Sequence, residues 1–144
     1  MSALFRVLSF ASGVALSAVL VYFDGYLAAI PTPKGYFESF AKPHWHLALS
    51  AFTFVTFNIP VFLLCAVWCG LTVRYLGRSR PDTAWWCLAG LALVMFYFLV
   101  QDDVQWILSK PRACFDILTP FAGALFGGWL ARRMTFDDLH KAQA

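Results

Sequence analysis

Five consecutive residues, Gln101-Asp102-Asp103-Val104-Gln105, turn polar an apolar run that extends from Ala84 to Lys110. With Asp24, His44 and His46 they are the side chains of this chain best suited to chemistry, and three kinds are open to them. Two histidines with carboxylates suit zinc or another first-row metal, or acid/base catalysis. The spacing opposes it: on a helix His44 and His46 point about 200° apart, although an extended backbone around Pro43 would bring both rings to one side. Carboxylates inside a small helical unit also suit a proton- or ion-coupled carrier, working as a homo-oligomer because so few helices enclose little volume. Asp24 lies near the outer end of its helix, shallower than that mechanism asks.

The third chemistry is recognition inside the bilayer, by a subunit, regulatory or immunity-type protein that binds or assembles through its polar cluster. The chain contains no catalytic motif, and this reading is the one it favours, with transport and a membrane enzyme as alternatives. Its ligand- or partner-binding residues are then Asp24, His46, Gln101, Asp102, Asp103 and Gln105. No metal and no cofactor is assigned. A bis-histidine haem needs ligands on facing helices at one depth, whereas His140 belongs to the opposite surface from His44 and His46. The cysteines at 65, 69, 87 and 114 contain no C-x-x-C pair, and Cys65 and Cys69 read as small apolar fillers.

These residues must be positioned by membrane helices. The chain is 60% hydrophobic and 13% charged, with a mean hydropathy of +0.66, values of an integral membrane protein. The net charge of +3 is modest and forms no soluble basic patch, so nucleic acid is not an expected partner. Expected partners are the lipid bilayer and either another membrane protein or further copies of the chain. Tryptophan gathers at bilayer surfaces, and Trp86 and Trp106 are separated by roughly 30 Å of helix, the thickness of the hydrocarbon core. Asp102 and Asp103 then lie about one turn inside that boundary, where an aspartate costs about 1–3 kcal/mol unless it meets water or a partner. Helical phase puts Cys87, Gly90, Val94, Tyr97, Gln101 and Gln105 on the arc facing the bundle, with Asp102 at its edge and Asp103 pointing away.

The expected fold is an all-α integral membrane protein, a bundle of four transmembrane helices near residues 4–30, 46–76, 84–109 and 115–133, with a polar tail over 135–144. In the first helix Ser9, Gly13 and Ser17 repeat every fourth residue, a packing stripe that leads to Asp24; Gly123-x-x-x-Gly127 is a second such signature in the fourth helix. Pro31 and Pro33 end the first helix, and the aromatic residues that follow suit a short interfacial segment. Asn58 and Pro60 fall inside the second run, where the proline frees the carbonyl of Thr56 and kinks the helix. Seven basic residues (Arg6, Arg74, Arg78, Arg80, Arg132, Arg133, Lys141) against four (Lys34, Lys42, Lys110, Arg112) favour both termini in the cytoplasm. The short loops suggest a bacterial inner membrane. Asp24, Glu38, His44, His46, Asp102, Asp103 and Asp116 then share the outer side.

Overall fold

The computed structural model describes residues 2–76, 82–101 and 111–141. Every regular element among them is helical: α1 (Ser2–Ala28), α2 (Trp45–Thr53), α3 (Ile59–Leu76), α4 (Thr83–Gln101) and α5 (Pro111–Lys141). A π-helical turn, Phe54–Asn58, joins α2 to α3, and short 3-10 turns occupy Phe37–Ser39 and Lys42–His44. Three stretches are long and apolar enough to cross a membrane, Ala3–Ala28, Lys42–Leu76 and Thr83–Gln101. Large apolar side chains such as Leu63, Val67, Leu93 and Phe96 lie on the outside, a surface that suits hydrocarbon far better than water.

The helices pack as two parallel pairs, α1 along α4 and α3 along α5, with further contacts of α1 on α3 and of α4 on α3 and α5. Glycine sets how closely each pair approaches. A Cβ on Gly13 would strike the carbonyl of Cys87, and one on Gly90 would strike the carbonyl of Phe10, so α1 and α4 interlock reciprocally. In the other pair, Gly123 faces the carbonyl of Phe62 and Gly127 that of Ala66. Backbones this close make Cα–H···O contacts and extensive dispersion contacts, the main attractions left between helices when lipid is as apolar as leucine.

A polar knot ties α1 to α3. Trp68 Nε1 donates to the Ser12 carbonyl at 3.1 Å and to Ser12 Oγ at 3.0 Å, while the Ser12 and Thr72 hydroxyls share a hydrogen bond of 2.8 Å. Around it lie the fully buried Leu16, Leu91, Cys65, Cys69 and Cys87, the three thiols free. At one end, Arg6 Nε donates to Asp82 Oδ2 at 3.0 Å and its guanidinium lies over Trp86. Gly128 of α5 reaches Ala84 at that same end, so α1 and α4 begin, and α3 and α5 finish, on one side of the packing.

Element ends depart from the sequence reading in three places, the first being the start of the last helix, which begins at Pro111 and not near residue 115. The last helix continues to Lys141 instead of stopping at Arg133, because no proline or glycine follows to break it. The second run resolves into α2, the π turn and α3, and the 18 residues of α3 alone are roughly 27 Å long. The stretch apolar enough to cross a membrane continues back through the π turn and α2 to Lys42. There the chain between α1 and α2 folds back on α2: Tyr36 donates its hydroxyl to the Ala48 carbonyl at 2.9 Å, and its ring packs on Phe37, Phe40 and Phe52. Gly35 permits the fold-back with a φ of 79°, a value that favours glycine.

Candidate functional site

The π turn answers a local demand set by Pro60. Pro60 has no N–H to offer Thr56, and the backbone answers by widening, Ile59 N–H bonding to Phe54 O five residues back. The widened turn aims Asn58 at α5. Its amide nitrogen donates to Asp116 Oδ1 at 2.8 Å and to Thr119 Oγ1 at 3.2 Å, and the residue is only 4% exposed. Thr119 in turn donates to the Phe115 carbonyl at 2.9 Å. Asp116 is therefore held by a buried donor from another helix.

Asp24 of α1 comes to the same place, where it borders the same cavities as Asp116. Both carboxylates line a cavity of about 600 Å³ whose walls include Thr32, Phe52, Thr53 and Thr56. Both also line a second cavity of about 380 Å³, walled by Leu20, Val61, Val94, Met95 and Phe98. Asp116 borders a third, of about 410 Å³, with Asn58 and Ser50. Carboxylates from two helices at these junctions can attract a positively charged group or take up a proton.

Several residues singled out in the sequence lie elsewhere. His46 is exposed on α2, its carbonyl accepting from Ser50, and it lines none of these cavities. Among the described residues no group of three or more His, Cys, Asp or Glu side chains converges as a metal site. Gln101 is exposed and donates to the Tyr97 hydroxyl at 2.7 Å. The arc on α4 thus faces the bundle at Cys87 and Gly90 but leaves it by Tyr97, which is exposed. Asp102, Asp103 and Gln105 lie outside the described residues. Ser9 and Ser17 are buried at 1% and 2% exposure, each donating to the carbonyl four residues earlier, Phe5 and Gly13. Gly13, Gly123 and Gly127 sit at the helix crossings already described.

Asn58, Asp116 and Thr119 were not among the expected binding residues. A signal for them exists: carried back toward the start of α5, the stripe of Gly127 and Gly123 continues through Thr119 to Asp116 at helical spacing. Followed backward along α3, the face of Cys69, Cys65 and Phe62 reaches Asn58 in the same way.

The opposite end carries the other electrostatic feature. Desolvation opposes ionisation of Asp82, but its own backbone N–H, the Arg6 guanidinium and Trp86 outweigh it and hold the carboxyl below the usual carboxylate range. Arg133 stacks over Trp129 near that end, 5.1 Å from the ring centre, an arrangement suited to a bilayer surface. No protein-family model, curated protein or solved structure matches this chain.

Proposed function

We propose that this chain is a small membrane-spanning protein that works by binding, and that the Asp24–Asp116 centre receives a positively charged group. In this reading α5 is a fourth crossing, both termini are cytoplasmic, and the centre opens to the outer side of a bacterial inner membrane. One observation carries it: carboxylates from two different helices share the walls of two cavities, one of them fixed by the buried Asn58. Two like charges beside apolar walls are costly to maintain, so a cation or proton arriving between them relieves repulsion and regains what desolvation removed. The charged group could belong to a small ligand, to another membrane protein or to a further copy of the chain. The chemistry at the centre is the same for each.

The test uses purified protein in lipid nanodiscs with tetraethylammonium as probe. Saturable binding is expected, weakened at least about tenfold by Asp24→Asn or Asp116→Asn while thermal unfolding stays cooperative. Absence of saturable binding together with no proton release on titration of the wild type overturns the reading.

A second reading, ion- or proton-coupled transport, has one observation in its favour. The π turn next to Pro60, a geometry found often at functional sites, carries the residue that holds Asp116. A carrier would show tetraethylammonium-driven proton flux in vesicles, abolished by Asp116→Asn.

A further inference from the structure

The order of the cavity walls along each helix distinguishes an inner arm from an outer arm. The apolar cavity is lined by Ser17 and Leu20, which precede Asp24 in α1, by Val61, which follows Asn58 in α3, and by Pro120, which follows Asp116 in α5. In every case the residue lies nearer the middle of the helix packing than the polar group. The larger cavity runs the other way, to Ala28, Ile30, Thr32, Leu49 and Phe52 at the outer ends. Asp24, Phe57, Asp116 and Ile117 border both. The carboxylates therefore stand at a neck, with a greasy pocket on the inner side and a more polar vestibule on the outer side.

From this arrangement we infer that the ligand is an amphiphilic organic cation: a single-chain alkylammonium whose head lies between Asp24 and Asp116 and whose tail fills the pocket of Leu20, Val61, Val94, Met95 and Phe98. The inference rests on the reading of Asp24–Asp116 as a binding centre and adds the class of ligand. A carboxylate- or phosphate-headed lipid brings a negative charge to two others and is rejected. A bare inorganic cation leaves the inner pocket empty. The pocket volume, about 380 Å³, is in the range of small-ligand sites. Because lipid is as apolar as these walls, the tail gains nothing by leaving the bilayer except closer contact, so its contribution comes from packing.

The experiment compares tetramethylammonium with decyltrimethylammonium on the full chain in nanodiscs, the second ligand's concentration being expressed per lipid. The wild type is expected to prefer the decyl compound by about tenfold. Val94→Trp, which fills the pocket, should remove that preference; Leu20→Phe is a milder filling should the tryptophan variant not fold. Equal tail preference in wild type and filled variants would assign it to the bilayer and overturn the inference, as would equally tight binding of decanoate. Loss of tetramethylammonium binding in the wild type itself would instead overturn the centre. Tetramethylammonium binding without tail preference would leave the centre standing and the amphiphile rejected.

Discussion

Asn58 shows how much a single amide can organise in an apolar setting. It is buried and donates to both Asp116 and Thr119, so Asn58→Leu removes a donor from a carboxylate that has few others nearby. Loss of a partner to a charged group costs about 1–3 kcal/mol in soluble proteins, whereas interhelical hydrogen bonds in membranes average about 0.6 kcal/mol. The expected destabilisation for Asn58→Leu is about 1 kcal/mol by reversible unfolding in mixed micelles, with an accompanying fall in tetraethylammonium affinity as Asp116 loses its fixed position. Unchanged affinity would remove Asn58 from the site. At the other end, Asp82 predicts a pH effect with a definite sign. Its folded-state carboxyl is held below the usual range, so the pair with Arg6 stabilises fully above the unfolded value of about 3.9 and fades as pH falls through the folded value. The melting temperature of Asp82→Asn should therefore lie below that of wild type at neutral pH and converge on it below about pH 4. Of these residues Asp24 was legible, since it ends a stripe of small residues. Asp116 was legible only as one acid expected on the same side as Asp24, and Asn58 only as a companion of a proline. The bond between them joins positions far apart in the chain, and nothing local announces it.

Among the elements, glycine at the crossings and the π turn do the positioning. Gly127 faces the carbonyl of Ala66, and a Cβ there would overlap backbone, which cannot move aside as a flexible side chain can. Gly127→Leu is expected to destabilise the folded chain by about 3 kcal/mol or more, and Gly25→Leu, where nothing lies within 4 Å, by less than about 0.5 kcal/mol. The measurement is unfolding in mixed micelles, with size-exclusion to check that the change is loss of fold and not separation of copies. The G-x-x-x-G pattern was legible, but not its partner: internal packing and dimerisation read alike until α3 is seen against it. The π turn was half legible. Pro60 announces a lost hydrogen bond, and a kink or an extra residue in the turn can each absorb it. Pro60→Ala tests whether the missing N–H holds the turn open. With that N–H restored, regular helix of unchanged length should form and rotate α2 by about 100° relative to α3, carrying Phe52 and Thr53 out of the vestibule wall; a spin label at Leu49, measured against one at Tyr22, should report a new distance. An unchanged distance would mean that the missing N–H does not hold the turn open.

At the scale of the whole molecule, the pairing of helices constrains the topology more tightly than composition does. Three helices qualify as membrane spans on length and apolarity, and α5, with Asp116, Pro120 and the paired Arg132 and Arg133, is the least obvious crossing. Yet α5 lies along α3, its Gly123 against Phe62 and its Gly127 against Ala66. Those α3 positions belong to the Lys42–Leu76 span. Helices in parallel contact share depth residue by residue, so if α3 crosses, the stretch of α5 from Asp116 to Gly128 is carried across beside it, with its polar groups at one end and its arginines at the other. Leaving α5 in water would also expose to lipid the face of α3 that carries Phe62, Ala66 and Gly70. The resulting expectation is specific. In a bacterial host, a reporter fused after Gln101 should lie outside, active as alkaline phosphatase and dark as a cytoplasmic fluorescent protein, and the same reporters fused after Ala144 should behave in the opposite way. Identical behaviour at the two fusion points would mean that α5 does not cross, and the Asn58–Asp116 bond would then have to form at a surface instead of within the outer edge of the bilayer.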